Sequence, residues 1–211
     1  MPSILMHAIA AALYTGLTFH FWRTRWTGTV LNTPAGGLRT SEKVLLFAAL
    51  CAHALSLRGD IFDDGAMHFS FSIALSVMLW LTIALYWLES FYARIEGLQI
   101  LGLPIAAVCT LLPLIFTEVH RLPNADSLGF RLHFLIAMLA YSLFTVAALH
   151  AVLMAAAERA LHQGRLPGLL AGLPPLMTME SLLFRLIQAA FVLLTLTLVS
   201  GLLFSESLFG K

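Results

Sequence analysis

Charge is scarce in this chain. Of its 211 residues only 11% are Asp, Glu, Lys or Arg, against 60% hydrophobic, and the mean hydropathy is +0.90. That balance excludes an ordinary soluble globular domain. The 12 Lys and Arg nearly cancel the 11 Asp and Glu, and they sit in loops rather than on one basic face. Nucleic acid is therefore excluded as a partner. Cysteine is almost missing: Cys51 and Cys109 both lie inside apolar runs, where a free thiol behaves as a small hydrophobe, and there is no CxxC, no CxxCH and no disulfide framework. Also missing are an HExxH pair, a phosphate-cradling glycine loop, a nucleophile elbow and any internal repeat. No side-chain chemistry of a soluble enzyme has a visible site, and the chain is expected not to be an enzyme. The N-terminal run MPSILMHAIAAALYTGLTFHFW lacks a basic leader and an Ala-x-Ala cleavage site, so it reads as a retained first span rather than a signal peptide.

What the sequence does have is long apolar runs. The most telling is the stretch from Leu128 to Gln163, which carries no formal charge from Phe134 to Ala157 and holds His133 and His150. About 20 apolar residues of helix cross a bilayer core, so this stretch should span a membrane. Six such segments are separated by loops bearing Pro, Gly and charge: Ile4 to Trp22, Lys43 to Leu57, Phe69 to Trp87, Leu98 to Phe116, Leu132 to Ala157 and Leu182 to Phe204. The expected fold class is all-α, a polytopic transmembrane helix bundle of about six spans in a single domain over residues 1–211, with the lipid bilayer as its surroundings. The second segment is short and is expected to extend through Ser41 and Arg58, whose side chain can snorkel.

Orientation follows from Lys and Arg in short loops. The first loop carries Arg23, Arg25, Arg39 and Lys43, whereas the second sets Arg58 against Asp60, Asp63 and Asp64. The first loop is therefore cytoplasmic and the N-terminus outside. The inner connection from Arg159 to Met179 combines Gly, Pro and a short apolar stretch, and Thr178 or Ser181 is placed to cap the last helix. In the fourth span, Pro104 and Pro113 remove backbone donors, a break that neighbouring helices can re-satisfy in a membrane.

A histidine at membrane depth is costly unless a partner, a metal or water satisfies it. The topology puts His53 about four residues, roughly 6 Å of rise, below the outer end of span two, and His133 at a similar depth in span five. Two imidazoles at one depth on different helices are the arrangement that two axial ligands of a haem iron need. His7, His68 and His120 also fall on the outer side, while His20, His150 and His162 lie deeper or inside. The bland alternative is that each intramembrane His hydrogen-bonds a neighbouring helix. Zinc is a poorer metal for the site, because no tight cluster of His, Cys and carboxylate exists. Tyr141, Ser142 and Thr145 read as packing residues, Trp80 and Trp87 as packing or anchors at the inner interface, Arg185 as a snorkelling cation or a partner of Glu180. The Asp60, Asp63, Asp64 group lacks the full calcium-loop pattern and reads as a solvated outer loop.

Four segments, LCAHAL around His53, FSFSIALSVMLW in span three, LHFLIAMLAYSLFTVAALHAV from Leu132, and LPPLMTMESLLFRLIQAAFVLLTLTLVSGLLF near the C-terminus, resemble the integral-membrane cytochrome c assembly family. The likeness is to its HemX-like or YpjD-like branch, related to CcsA and CcmC, and it runs from about Leu50 onward, most specifically in the PPLMTME segment. The resemblance implies a bacterial inner-membrane protein that binds haem b and takes part in c-type cytochrome biogenesis, alongside other cytochrome c maturation components. It implies His53 and His133 as the intramembrane ligands of haem iron, with His120 in a place like the family's first outer histidine and His68 beside it. Two departures bear on that expectation. There is no tryptophan-rich WWD segment, which puts direct delivery of haem to an apocytochrome in doubt, and the branch is expected to continue through two more spans, which implies a fragment or a shortened member. Two other readings stand beside the haem-handling one: a haem-free scaffold or regulator of the same fold, and a small-solute or metal transporter using the broken fourth span.

Overall fold

The computed structural model describes residues 2–26, 37–63, 66–92, 97–118, 120–121, 127–163 and 175–203. Six helices in it are long and apolar enough to cross a membrane: α1 Pro2–Phe21, α2 Thr40–Ile61, α3 Phe71–Glu89, α4 Leu98–Ile115, α5 Leu128–His162 and α6 Leu176–Leu203. The all-α bundle read from hydropathy is thus the observed fold. It carries one small addition at an end, three short antiparallel strands in the order β1 Phe62–Asp63, β2 Ala66–Phe69, β3 His120–Arg121. Their register sets Phe62 opposite Met67, His68 opposite Arg121 and Phe69 opposite His120.

Local chemistry fixes the helix ends. Glu42, in the first turn of α2, accepts from the backbone N–H of Arg39 at 2.7 Å, and its carboxylate also takes Arg25 at 3.0 Å and His20 at 3.1 Å. This is the reciprocal half of a capping box, extended to fasten α1 to α2. Ser70 caps α3 by accepting from the N–H of Ile73, and Ser127 caps α5 by accepting from that of Phe130, each at 3.2 Å. Gly97 precedes α4 at a φ of 100°, which a side chain would strain. The second helix does extend through Ser41 and Arg58, as its short apolar core requires. The last helix starts earlier than expected, at Leu176 directly after Pro175, so neither Thr178 nor Ser181 caps it; Ser181 instead donates to the Thr178 carbonyl. Of the inner connection, residues 164–174 lie outside the described residues.

The helices pack as a core of four with two added on one side. α1 lies on α2 and α4, α3 touches α2, α4 and α5, and α6 packs on α5. Along α1 the buried positions His7, Ala10, Tyr14, Leu17 and Phe21 recur at spacings of three and four, one seam of a helix. Tyr14, Leu17 and Phe21 of that seam meet Leu46, Leu50, Leu79, Ile83, Leu103 and Val146 in one cluster. Between α2 and α3 two indoles form a ladder: Trp80 donates to the Leu50 carbonyl at 2.9 Å and Trp87 to that of Lys43 at 3.0 Å. Both tryptophans therefore hold helices together, whatever they add at the interface. Pro104 and Pro113 stay inside a continuous α4. One residue after the carbonyl of Cys109, which Pro113 deprives of its helix donor, the Thr110 carbonyl accepts from His7 of α1.

Candidate functional site

His53 is wholly buried, and its ring is enclosed by three other helices. Tyr14 of α1 stands 3.3 Å from Nδ1 and Ser76 of α3 stands 2.9 Å from Nε2. Thr110 of α4 donates its own proton to the Ala106 carbonyl and rests its oxygen 3.4 Å from both ring nitrogens. One ring nitrogen donates and the other accepts, so both are used. An intramembrane imidazole so enclosed meets its polar requirement without a metal.

His7 completes a second buried contact in the same four helices. Its Nδ1 donates to the Thr110 carbonyl at 2.7 Å, and its Nε2 lies 2.9 Å from Asp60 Oδ2, at ion-pair distance but out of line for a hydrogen bond. Asp60 was expected in a solvated loop; it lies instead in the last turn of α2, with its side chain 16% exposed. Asp60 is therefore part of a helix rather than of that loop, and Asp64 lies outside the described residues.

His133 sits apart from this network. Its Nδ1 is 2.8 Å from Ser200 Oγ of α6, and the ring lies over Gly201. Ser200 donates its one proton to the Thr197 carbonyl at 3.0 Å, so toward His133 it accepts. In the tautomer that this arrangement favours, Nδ1 carries the ring proton and Nε2 presents a lone pair, which has no protein hydrogen-bond partner among the described residues. His150, also on α5, behaves alike with its nitrogens reversed: Nε2 donates to the Met179 carbonyl at 3.2 Å, leaving a buried Nδ1 without a partner among the described residues.

The structure thus does not bring His53 and His133 together. The bonds of His53 run to α1, α3 and α4, that of His133 runs to α6, and α3 lies between α2 and α5. The extension of α2 to Ile61 also places His53 eight residues, about 12 Å of rise, from the helix end rather than about 6 Å. Matched depth was the only coordinate the sequence supplied; azimuth separates the two rings.

One of the two histidines on the short strands borders a cavity. His120 and Glu118 stand at the rim of a space of about 500 Å³ between the start of α3 and the end of α4, walled by Phe71, Leu75, Leu112 and Phe116. That size and apolar lining suit a small-molecule site. His68 is adjacent on β2, but because Phe69 is the residue opposite His120, the two imidazoles fall on opposite faces of the strands. Nearby, Phe69 meets Phe134 edge-on at 4.9 Å, and Phe134 stacks with Phe130 at 6.3 Å. Phenylalanine thus supplies the aromatic surface at this end, where the sequence has no tryptophan cluster.

A haem group can be tested against these residues. His133 fits, because an axial imidazole ligates through one nitrogen while the other donates to a second group that orients the ring. His120 fits as an imidazole at the mouth of an apolar space. His53 does not fit in the arrangement observed, since a bond to iron would displace Ser76 or Tyr14. Among the described residues no cluster of three or more His, Cys, Asp or Glu could hold a metal by itself. Sequence reasoning missed the His7–Asp60 contact, the Tyr14 and Ser76 partners of His53, and Ser200. The one legible signal was the 3/4 spacing that sets His7 and Tyr14 on a common face.

The cytochrome c assembly protein family matches residues 39–211, from the start of α2 onward. Inner membrane protein YpjD of Escherichia coli, in strains K12, O6:H1 and O157:H7, is 29% identical over 183 residues, 83% of this chain and 67% of the relative. No solved structure matches. The helices long enough for a bilayer and these matches agree on a membrane role in cytochrome c biogenesis. The chain belongs to the cytochrome c assembly protein family.

Proposed function

We propose that the protein binds haem b in the bacterial inner membrane and handles it during c-type cytochrome biogenesis, with its N-terminus outside and without catalysing a reaction of its own. The observation that carries this reading is the His133 imidazole, whose proton is committed to Ser200 and whose Nε2 is left with a bare lone pair. When bound, haem supplies an iron centre that accepts imidazole nitrogen as an axial ligand. His133 presents the donor atom, Ser200 fixes the ring, and the cavity at His120 offers an apolar space beside a second imidazole at the outer end. His68 is a further outer candidate. His53 joins the set only where its contacts with Tyr14 and Ser76 are given up. Other cytochrome c maturation components are the proposed partners.

The test is the absorption spectrum of the full chain in mild detergent, oxidised and then reduced. A Soret band lost in His133→Ala and retained in His53→Ala is the expected result. Ser200→Ala should weaken haem affinity by roughly 10-fold or more, the scale on which such orienting partners act. A well-folded sample free of iron, or a His133→Ala variant with an unchanged band, would remove the haem reading. The haem-free scaffold would then take its place, favoured by the outward face of α6, where Phe191, Leu198 and Leu202 are all more than half exposed.

A further inference from the structure

The His7–Asp60 contact contains a proton that neither partner can do without. A carbonyl oxygen only accepts, so His7 Nδ1, 2.7 Å from the Thr110 carbonyl, must carry hydrogen. The other nitrogen then faces the Asp60 carboxyl at 2.9 Å. Were His7 neutral and Asp60 ionised, two lone pairs would oppose each other inside the bundle, with His7 fully buried. One further proton removes that conflict, either on Nε2 as an imidazolium or on the carboxyl.

We propose that one buried proton held at the His7–Asp60 contact, on the imidazole or on the carboxyl, latches the outer half of α1 to α2 and α4, and that losing this proton releases the first span.

The placement supports a latch rather than a general strut. α1 lies outside the region that matches the family, and near its outer end His7 is the side chain that ties it to α2 and α4 together. Asp60 is partly exposed, so the proton has a route to the outer aqueous phase. Few other groups can account for a response to pH there. α4 carries no Asp, Glu, Lys, Arg or His. α2 contributes Asp60 and His53, with Arg58 exposed and Glu42 and Lys43 at the far end. α1 itself has Tyr14, against His53, and His20, which Glu42 engages at the inner end beside Arg23 and Arg25 of the turn that follows. On these helices the alternative is His53, whose ring is occupied by Tyr14 and Ser76, and the strands packed against α2 add Asp63 and His68.

Hydrogen–deuterium exchange of the full chain in detergent, followed by mass spectrometry and corrected for intrinsic rates, reads the latch directly. Protection of residues 4–14 should fall by about tenfold per pH unit once the medium is alkaline enough to withdraw the proton, the slope of a one-proton linkage. Asp60→Asn replaces the carboxylate with an amide that donates to Nε2 without an extra proton, so this variant should stay protected at every pH. Asp60→Leu should be unprotected throughout, and His53→Gln should keep the wild-type slope. Equal protection of wild type in acid and alkali would overturn the proposal, and that result needs no variant to fold. An Asp60→Asn protein that keeps the wild-type pH dependence, or a slope that vanishes in His53→Gln, would overturn it as well.

Discussion

The first four helices and the last two satisfy their polar side chains in different ways. In α1 to α4, His7, Tyr14, His53, Ser72, Ser76, Trp80, Trp87 and Thr110 all reach across to another helix or its end. In α5 and α6, Thr145, Ser181, Thr195 and Thr197 turn back on carbonyls of their own helix. The division is one of degree: Ser142 also donates to the Met78 carbonyl of α3, His133 and His150 each make one bond to α6, and Thr18, Ser56 and Thr82 of the first four helices turn back on their own carbonyls. His133 and His150 each keep one nitrogen without a hydrogen-bond partner among the described residues, and α6 buries only Met179 and Ala190 fully. In hydrocarbon every polar group needs a partner, and the bonds that cross between α1, α2, α3 and α4 tie those helices together, although His7 Nε2, Asp60 Oδ2 and Gln99 Nε2 are buried there without a hydrogen-bond partner among the described residues. The α5–α6 pair leaves lone pairs and an apolar face open, which is what a ligand, lipid or further helix can meet. The contrast teaches that an intramembrane histidine is read by its partners, not by its depth.

The largest expected break in that contrast is His53→Ala. It opens a cavity and strands Tyr14 and Ser76 together, a loss of about 2–4 kcal/mol in detergent denaturation. His133→Ala, half-buried with a single protein partner, should cost less than about 1 kcal/mol while abolishing any haem band. Equal destabilisation by the two would show that the closed and open regions differ less than their hydrogen bonds imply. A smaller effect belongs to Trp80→Phe, which keeps the ring but removes one rung of the ladder to Leu50. About 1 kcal/mol is expected for a single interhelical bond of this kind, with Trp87→Phe similar and the pair roughly additive, seven residues apart on one helix.

The spans were legible because crossing a bilayer demands a length of apolar helix, and that demand is written in every residue from Phe134 to Ala157. The family was legible in the PPLMTME segment and the runs around His53 and His133. What stayed hidden was rotation about each helix axis. A span that is apolar all round carries no moment to say which face looks inward, so His53 and His133 could be matched in depth but not in direction. Asp60 was misplaced for a related reason: three aspartates close together suggest a solvated loop, and only a buried imidazole supplied by α1 makes the last turn of α2 habitable for one of them. The early start of α6 was obscured by Pro174 and Pro175, which mark a boundary without saying which side the helix begins on.

Gly102 of α4 faces both α3 and α5, and its replacement by alanine offers the most delicate test. A Cβ there would come within 3.2 Å of Ile83 Cδ1 on α3 and 3.7 Å of Leu149 Cδ1 on α5. The nearer atom ends a flexible side chain, so it can yield by a few tenths of an ångström, and the helix gains about 1 kcal/mol when alanine replaces glycine. Packing strain of similar size opposes that gain, and Gly102→Ala should change stability by less than about 0.5 kcal/mol. Gly102→Val adds branches that have no such room, and it should separate α5 from α4 at a cost of about 1–3 kcal/mol. Its exchange pattern decides whether the regions are independent: protection lost in α5 and α6 but kept in α1 and α2 marks the first four helices as a unit that holds without the pair beside it.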